Sequence, residues 1–553
     1  MALTGQQLLD YACGQFENGA YDAALEAFIL AYTKEYEQEW VLENIYNCYM
    51  AGNEAEFQKN YGFWNTGEKP AYENLSLDFI PYREGEYYIF DKEIQNFRGI
   101  FSMNIVNNVE RQEDLRQMEF SALALAMYWD WSSIPGILEE ARFHKIYAVC
   151  QDMNKCASFF KIPELAEYAR NIMLFSDMEE FQRYFHEHTS VYLPKICMGT
   201  EDGKKELLDI INKEHEYRLT PEGRNTDNVL LTIGIPTYNR GNLLLEHVKN
   251  LLQVSYDAEI EFAVSKNGME RYQDEYRQVA EIQDARLVYY DHEKTLDATA
   301  NWRYVVEMSH GKYVVFVSDE DDVAIGALEH YLRLLEEFPQ VSVIRARTMV
   351  QHIEVVNRRY KEKGTDAFIN LFLTQNYLSG LIVRRKDFIE GDFASLDRFS
   401  DNEFYRSYPH EWWCAVLSRR GDSLCEPVIL VHEGESADAN KDGEITLQCY
   451  ATYESRLKQF DGIIEFLHWY TDGNADEIVL GLEYAIYKTV YLFGLARQLG
   501  YDREHFREWI GRLSTKAMEA VDEFDLNDAQ KIVVLQFLND RCTNALTAAG
   551  YTE

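Results

Sequence analysis

The stretch from residue 229 to 346 alternates short apolar runs with amphipathic ones, and nothing else in the 553-residue chain restricts its fold as tightly. VLLTIGI (229–235) is an apolar run of strand length, and residues 243–253 carry apolar positions at helical spacing. The pattern then repeats: strand 259–265, helix 271–282, strand 286–290, helix 297–309, strand 312–317, helix 324–337, strand 341–346. Apolar strands separated by helices imply a parallel sheet covered on both faces, with right-handed crossovers. The expected core is therefore an α/β, Rossmann-like domain with a mostly parallel sheet.

In such a sheet ligands bind beyond the carboxyl ends of the strands. Those ends read Pro236-Thr237-Tyr238-Asn239-Arg240, Ser265-Lys266-Asn267-Gly268, Asp291-His292 and Ser318-Asp319-Glu320-Asp321-Asp322. Four polar clusters on one sheet edge make a candidate site, although each alone would be an ordinary loop. Crowded carboxylates such as Asp319, Asp321 and Asp322 raise each other's pKa unless a cation neutralises them. Their oxygens suit Mn2+ or Mg2+, which can also bridge a diphosphate. A cation would let an acidic chain hold an anion: 54 Lys and Arg stand against 93 Asp and Glu, a net charge of −39. That balance argues against a nucleic-acid binder and against broad docking on anionic lipid. The plainer reading of Asp322 is an acid placed at a helix N-terminus.

LLTIGIPTYNRGNLLLEHVKNLL, EIEFAVSKNG and TLDATANWRYVVEMSHGKYVVFVSDEDD, in this order, resemble the opening strand, second strand and Asp-x-Asp run of family 2 glycosyltransferases of the GT-A fold. The resemblance spans 230 to about 435, well under half of the chain. It implies transfer of a sugar from a nucleoside-diphosphate donor of UDP or GDP type to a glycan, lipid-linked or protein acceptor, as in envelope glycan synthesis. By the same resemblance Pro236, Thr237, Tyr238, Arg240, Asn267, Asn301 and Asp319 would hold the nucleotide sugar, and Asp321, with Asp319, the metal. HEWWCAVLSRRG resembles the segment that carries the catalytic base, which makes Glu411 the candidate base, with Asp401 and Glu403 as rivals. The plainer reading of Glu411 is a helix N-terminal acid. His432, in VILVHEGES, is a candidate late metal ligand or diphosphate contact. Lys266 stands where the family often has Asp, Ala300 where it often has Arg, and His410 where it has the first acid of a pair. These departures leave the donor nucleotide open. A leaving diphosphate met by a cation, and a carboxylate on the opposite face taking the acceptor's proton, amount to an inverting displacement.

The flanks read as helical. Residues 1–73 form helix pairs, and ENGAYDAALEAFILAY resembles part of a tetratricopeptide repeat, without a sustained period of about 34 residues. Residues 74–225 read as a hairpin around Gly85 followed by helices from about 118 to 217, residues 226–444 as the transferase domain and 445–553 as a helical domain. The helical flanks are the candidates for the acceptor side, for self-association and for a protein partner. Nine dispersed cysteines without metal-ligand spacing suggest a reducing compartment. No apolar run approaches the roughly 20 residues of a membrane span and the N-terminus lacks a signal-like stretch. The expectation is a cytoplasmic protein, with peripheral membrane association left open.

Two other readings compete. An apolar strand followed by Asp-x-Asp-x-Val also fits a haloacid-dehalogenase-like phosphatase, with Asp319 as nucleophile and Asp321 as acid/base. A scaffold with a degenerate transferase domain would explain Lys266 and Ala300. The stretch from Asp438 resembles the start of an EF-hand, but its twelfth position is Cys449, so a plain polar loop is expected.

Overall fold

The computed structural model describes residues 3–64, 69–104, 123–127, 145–166, 168, 171–268, 270–349, 357–373, 377–391, 393–434 and 451–551. The EF-hand-like stretch lies outside them. The chain divides into two compact units, Met1–Arg218 and Leu219–Glu553.

The first unit opens with four helices, Gly5–Glu17, Tyr21–Tyr32, Gln38–Gly52 and Glu54–Gly62, as their periodicity requires. The hairpin is present as Leu77–Arg83 and Glu86–Asp91, and a third strand, Asn96–Ser102, extends it into a meander. The helical expectation for residues 118–217 holds for Met178–Glu187 and Glu201–Arg218 and is corrected by four strands among the described residues. Strands Leu123–Met127, Ile146–Cys150, Ile172–Phe175 and Ile196–Gly199 form a parallel sheet in the order third, second, first, fourth. Strands of four or five residues are too short to display a period, so their apolar side chains merged with those of the neighbouring helices.

In the second unit every strand and helix expected between 229 and 346 is present, its ends moved by only a few residues. The strands are β1 (Leu231–Tyr238), β2 (Ile260–Asn267), β3 (Leu287–Asp291), β4 (Tyr313–Phe316), β5 (Asp322–Val323), β6 (Val341–Met349), β7 (Arg359–Lys361), β8 (Leu381–Arg384) and β9 (Asp422–His432). They form one nine-stranded sheet in the order β3-β2-β1-β4-β8-β6-β9-β5, with β7 on β9. Pairing is parallel from β3 through β4 and between β6 and β9; β8 runs antiparallel to both of its neighbours. The sheet is therefore mixed, with its parallel half carrying the motifs.

The helices that position the site are α1 (Gly241–Leu251), α2 (Gln273–Ala280), α3 (Ala298–Met308), α4 (Leu328–Glu337) and α5 (Pro409–Ser418). Four more, α6 (Tyr453–Tyr470), α7 (Ala475–Gln498), α8 (Phe506–Glu523) and α9 (Asp528–Ala548), belong to this same unit. Their apolar faces merge with the sheet side chains in one core, in which Trp412 and Trp413 of α5 are completely buried beside Phe466 and Phe388. Length and mean composition alone would let α7 cross a bilayer. Here Leu482, Ala485, Ile486 and Phe493 make it a core helix of the unit.

Candidate active site

A cleft of about 860 Å³ opens at the carboxyl ends of β1, β2 and β4, where the sheet topology calls for a ligand. Pro236, Thr237, Tyr238, Arg240, Asn267, Asn301 and Asp319 all line it, so the structure gathers every residue expected at the nucleotide sugar. Two of its shaping features are backbone ones. Asn239 turns the chain into α1 with a φ of 55°, and its side chain accepts the amides of Glu270 and Arg271 at 3.1 and 3.3 Å. Gly268 has a φ of +115°, and a Cβ there would meet Asn239 Oδ1 at 2.8 Å, so only glycine lets the two strand-end loops close together.

One hydrogen-bonded network ties β1 to β4. Thr237 Oγ1 donates to Asp319 Oδ2 at 2.6 Å, and Arg240 Nη1 reaches Asp319 Oδ1 at 3.2 Å while also pairing with Glu320. Tyr276 of α2 supports both: its hydroxyl lies 2.8 Å from Thr237 Oγ1 and accepts the Arg240 amide at 2.8 Å. Burial raises the Asp319 carboxyl to about 6, against the opposing pull of Thr237 and Arg240. Sequence reading missed Tyr276, because a tyrosine in the middle of QDEYRQVA carries no local signal.

The remaining lining residues divide by role. Tyr238 is 51% exposed and Tyr272, also at the cleft, 37%, which leaves two aromatic faces open to a ligand. Arg240 and Arg271 supply positive charge. Asn267 has both ends of its amide committed, donating to the Leu296 carbonyl at 2.9 Å and accepting the Leu296 amide at 2.8 Å; it builds the wall. Asn301, in the first turn of the α3 helix that Asp297 caps, accepts from Ser265 Oγ at 2.7 Å. Lys266 is turned to Asp291 at 2.7 Å and to Gln273 at 2.9 Å.

Asp321 stands apart. It is fully buried, does not line the cleft, and accepts from Tyr377 Oη (2.9 and 3.0 Å), Ser379 Oγ (2.5 Å) and the Gly434 amide (3.0 Å). These contacts take up the roughly four lone-pair sites of a carboxylate. His432 is exposed and stands opposite Asp322 in the β5–β9 register. Asp319, Asp321 and His432 are thus not assembled into a shared centre, and among the described residues no three His, Cys, Asp or Glu side chains could hold a metal ion. The cleft carboxylates are Glu270, Asp319 and Glu320, the last two adjacent beyond the end of β4. This pair fits a cation of the kind held by one or two carboxylates and completed by substrate phosphates, not a protein-only cage.

Glu411 begins α5, completely buried and outside the cleft lining. Its Oε1 accepts from Lys488 Nζ at 2.7 Å, and Oε2 has no hydrogen-bond partner among the described residues. Burial pushes its carboxyl up to about 7, with Lys488 and Arg345 pulling it down. The next link towards the cleft is Trp302, a lining residue whose ring lies 6.4 Å from His410 and 6.3 Å from Trp413. Of the rivals, Glu403 is engaged by Ser455 at 2.9 Å and by Arg406, and Asp401 is exposed; neither lines the cleft. Lys488 could have been found in the sequence as the lone cation within the apolar run YAIYKTVYLFGLA.

With this geometry in hand, residues 232–400 match the family model described as glycosyl transferase family 2. No curated protein sequence matches the chain. Among solved structures, S. aureus TarS 1–349 in complex with UDP-GlcNAc aligns at 12% identity and a TM-score of 0.37, over 58% of this chain and 90% of that one. The mannosyltransferase PcManGT from Pyrobaculum calidifontis, in complex with GDP-Man and Mn2+, aligns at 13% identity and a TM-score of 0.30, over 57% and 86%. At these scores the superpositions add nothing to the assignment, which rests on the family match. That match covers the strands, turn and carboxylates that build the cleft, and the chain is accordingly a glycosyltransferase carrying a family 2 domain.

Proposed function

We propose that this chain binds a nucleoside-diphosphate sugar of UDP or GDP type in the β1–β4 cleft and transfers its sugar with inversion to a glycan, lipid-linked or protein acceptor. The observation that carries this reading is the Thr237–Asp319–Arg240 network, closed across two strand ends in a cleft that the exposed Tyr238 also lines. An aromatic face is suited to stack a base, and a guanidinium to meet phosphate charge. In a chain of net charge −39 such local donors are what an anionic ligand requires.

The chemistry follows from where the groups stand. Arg240 and Arg271 face the cleft and would counter charge developing on the leaving diphosphate. Mn2+ or Mg2+ bound by Asp319, Glu320 and the diphosphate oxygens would add to that neutralisation. Glu411 Oε2, which has no hydrogen-bond partner among the described residues, would take the proton from the acceptor hydroxyl as it attacks the anomeric carbon. A carboxyl held near 7 is close to the optimum for a general base at neutral pH. A single displacement assisted by one base inverts the anomeric carbon.

The phosphatase reading needs Asp319 as a free nucleophile, whereas Thr237 and Arg240 hold both of its oxygens. Thermal-shift measurements with UDP, GDP and their sugar conjugates, with and without Mn2+, test the proposal. Stabilisation that grows with ligand concentration is expected, and no shift with any of them would refute it.

A further inference from the structure

Lys488 lies in the interior of α7, buried, in a helix that is apolar on either side of it. A buried ammonium must be paired, and this one donates to Glu411 Oε1 at 2.7 Å and to the Leu373 carbonyl at 3.2 Å, with the rings of Phe404 and Tyr408 4.8 and 5.0 Å away. The pair is lopsided. One carboxylate oxygen is anchored, and the other has no partner among the described residues. An unmet buried acceptor costs desolvation, so a further donor reaching this oxygen would be favoured.

We propose that Lys488 is a positioning residue for sugar transfer: it pins one oxygen of Glu411, favours the ionised carboxylate, and leaves the second oxygen to receive the acceptor's proton. This rests on the reading of Glu411 as the base. The groups facing Glu411 are Lys488 from α7, Arg345 from β6 and Cys414 on its own helix, with His410 adjacent in the chain. Arg345 bonds the Tyr377 carbonyl, and Arg456 of α6, which bonds Tyr408 and Gln459, acts on Lys488. Burial favours the neutral acid, while Lys488 and Arg345 oppose it. Removing the Lys488 charge leaves Arg345 alone against burial, so Glu411 must titrate at higher pH.

The experiment uses the full chain. Infrared difference titration reads the carboxyl directly, with Glu411→Gln assigning its band. Release of nucleoside diphosphate from UDP-glucose or GDP-mannose reads turnover, and calorimetry with UDP or GDP reads donor binding. Lys488→Met should move the Glu411 titration up by about one to three pH units and lower turnover at neutral pH about tenfold or more, with donor affinity unchanged. Lys488→Arg, which keeps the charge, should restore most of both. An unmoved titration in folded Lys488→Met, or an equal loss in Lys488→Arg, overturns the proposal. Failure of both Lys488→Met and Lys488→Gln to fold also overturns it, since the pair would then serve stability. If Glu411→Gln keeps full turnover, the base assignment is what fails, and the infrared titration still reports whether Lys488 controls this carboxyl.

Discussion

The ammonium of Lys488 lies 2.7 Å from a carboxylate oxygen of Glu411, two buried groups 77 residues apart in the chain. The contact joins α7 to the first turn of α5. It makes the C-terminal helices part of the transferase unit, since they supply both core side chains and the counter-ion of the candidate base. A chain ending near residue 437 would leave the apolar face of α5 and the Glu411 charge uncovered. Such a truncation is expected to be insoluble. A soluble, donor-binding fragment of residues 226–437 would show that the helices are dispensable.

Asp321→Ala removes the acceptor of Tyr377, Ser379 and the Gly434 amide. Leaving buried donors unmet costs about 1–3 kcal/mol each, so a loss of roughly 3 kcal/mol or more in denaturant unfolding is expected. Unchanged stability together with lost Mn2+-dependent nucleotide binding would return Asp321 to the metal.

Glu411→Gln keeps the size of the side chain and removes the proton acceptor. Turnover should fall by roughly 10²–10⁴-fold with little change in calorimetric UDP or GDP affinity. Should Asp401→Asn or Glu403→Gln carry that loss instead, the base has been misassigned.

The Asp319 carboxyl is raised from 3.8 to about 6, so between these values the folded state binds the proton more tightly than the unfolded one. The stabilisation is fully present below about pH 4 and is lost as pH rises through about 6. Asp319→Asn lacks this dependence. The stability of the parent protein minus that of the variant should therefore fall from about pH 4 to about pH 6, and a difference that rises over that window would contradict the burial argument.

Tyr238→Ala should weaken nucleotide binding by about 1–3 kcal/mol if its exposed face stacks the base. Tyr238→Phe, which keeps the ring, should bind as the parent does. Equal losses in both would point to the hydroxyl.

What could be read from the sequence depended on the range of the signal. β1 to β4 and their helices are long and periodic, and Pro236, Thr237, Tyr238, Arg240, Asn267 and Asp319 stand beside strand ends, so local pattern located them, whereas Asn301 on α3 came from the family resemblance. The parallel sheet of the first unit went unseen because IMLF and ICMG are too short to show a period. The partners Tyr276, Tyr377, Ser379 and Lys488 come from distant elements, and only the fold brings them to Thr237, Asp321 and Glu411. Asp321 illustrates the limit: its spacing from Asp319 suggests a shared metal, while the turn closed by the Asp321 amide on the Ser318 carbonyl carries it away from the cleft into a cage of protein donors.

Nucleoside-diphosphate binding in the β1–β4 cleft, as proposed, depends on the Thr237–Asp319–Arg240 network. Isothermal titration of UDP and GDP into the parent protein and into Asp319→Asn, each with and without Mn2+, tests it most directly. Saturable binding of one of the two nucleotides to the parent, tighter with Mn2+, is expected, with its loss in folded Asp319→Asn. Binding that survives unchanged in that variant would contradict it.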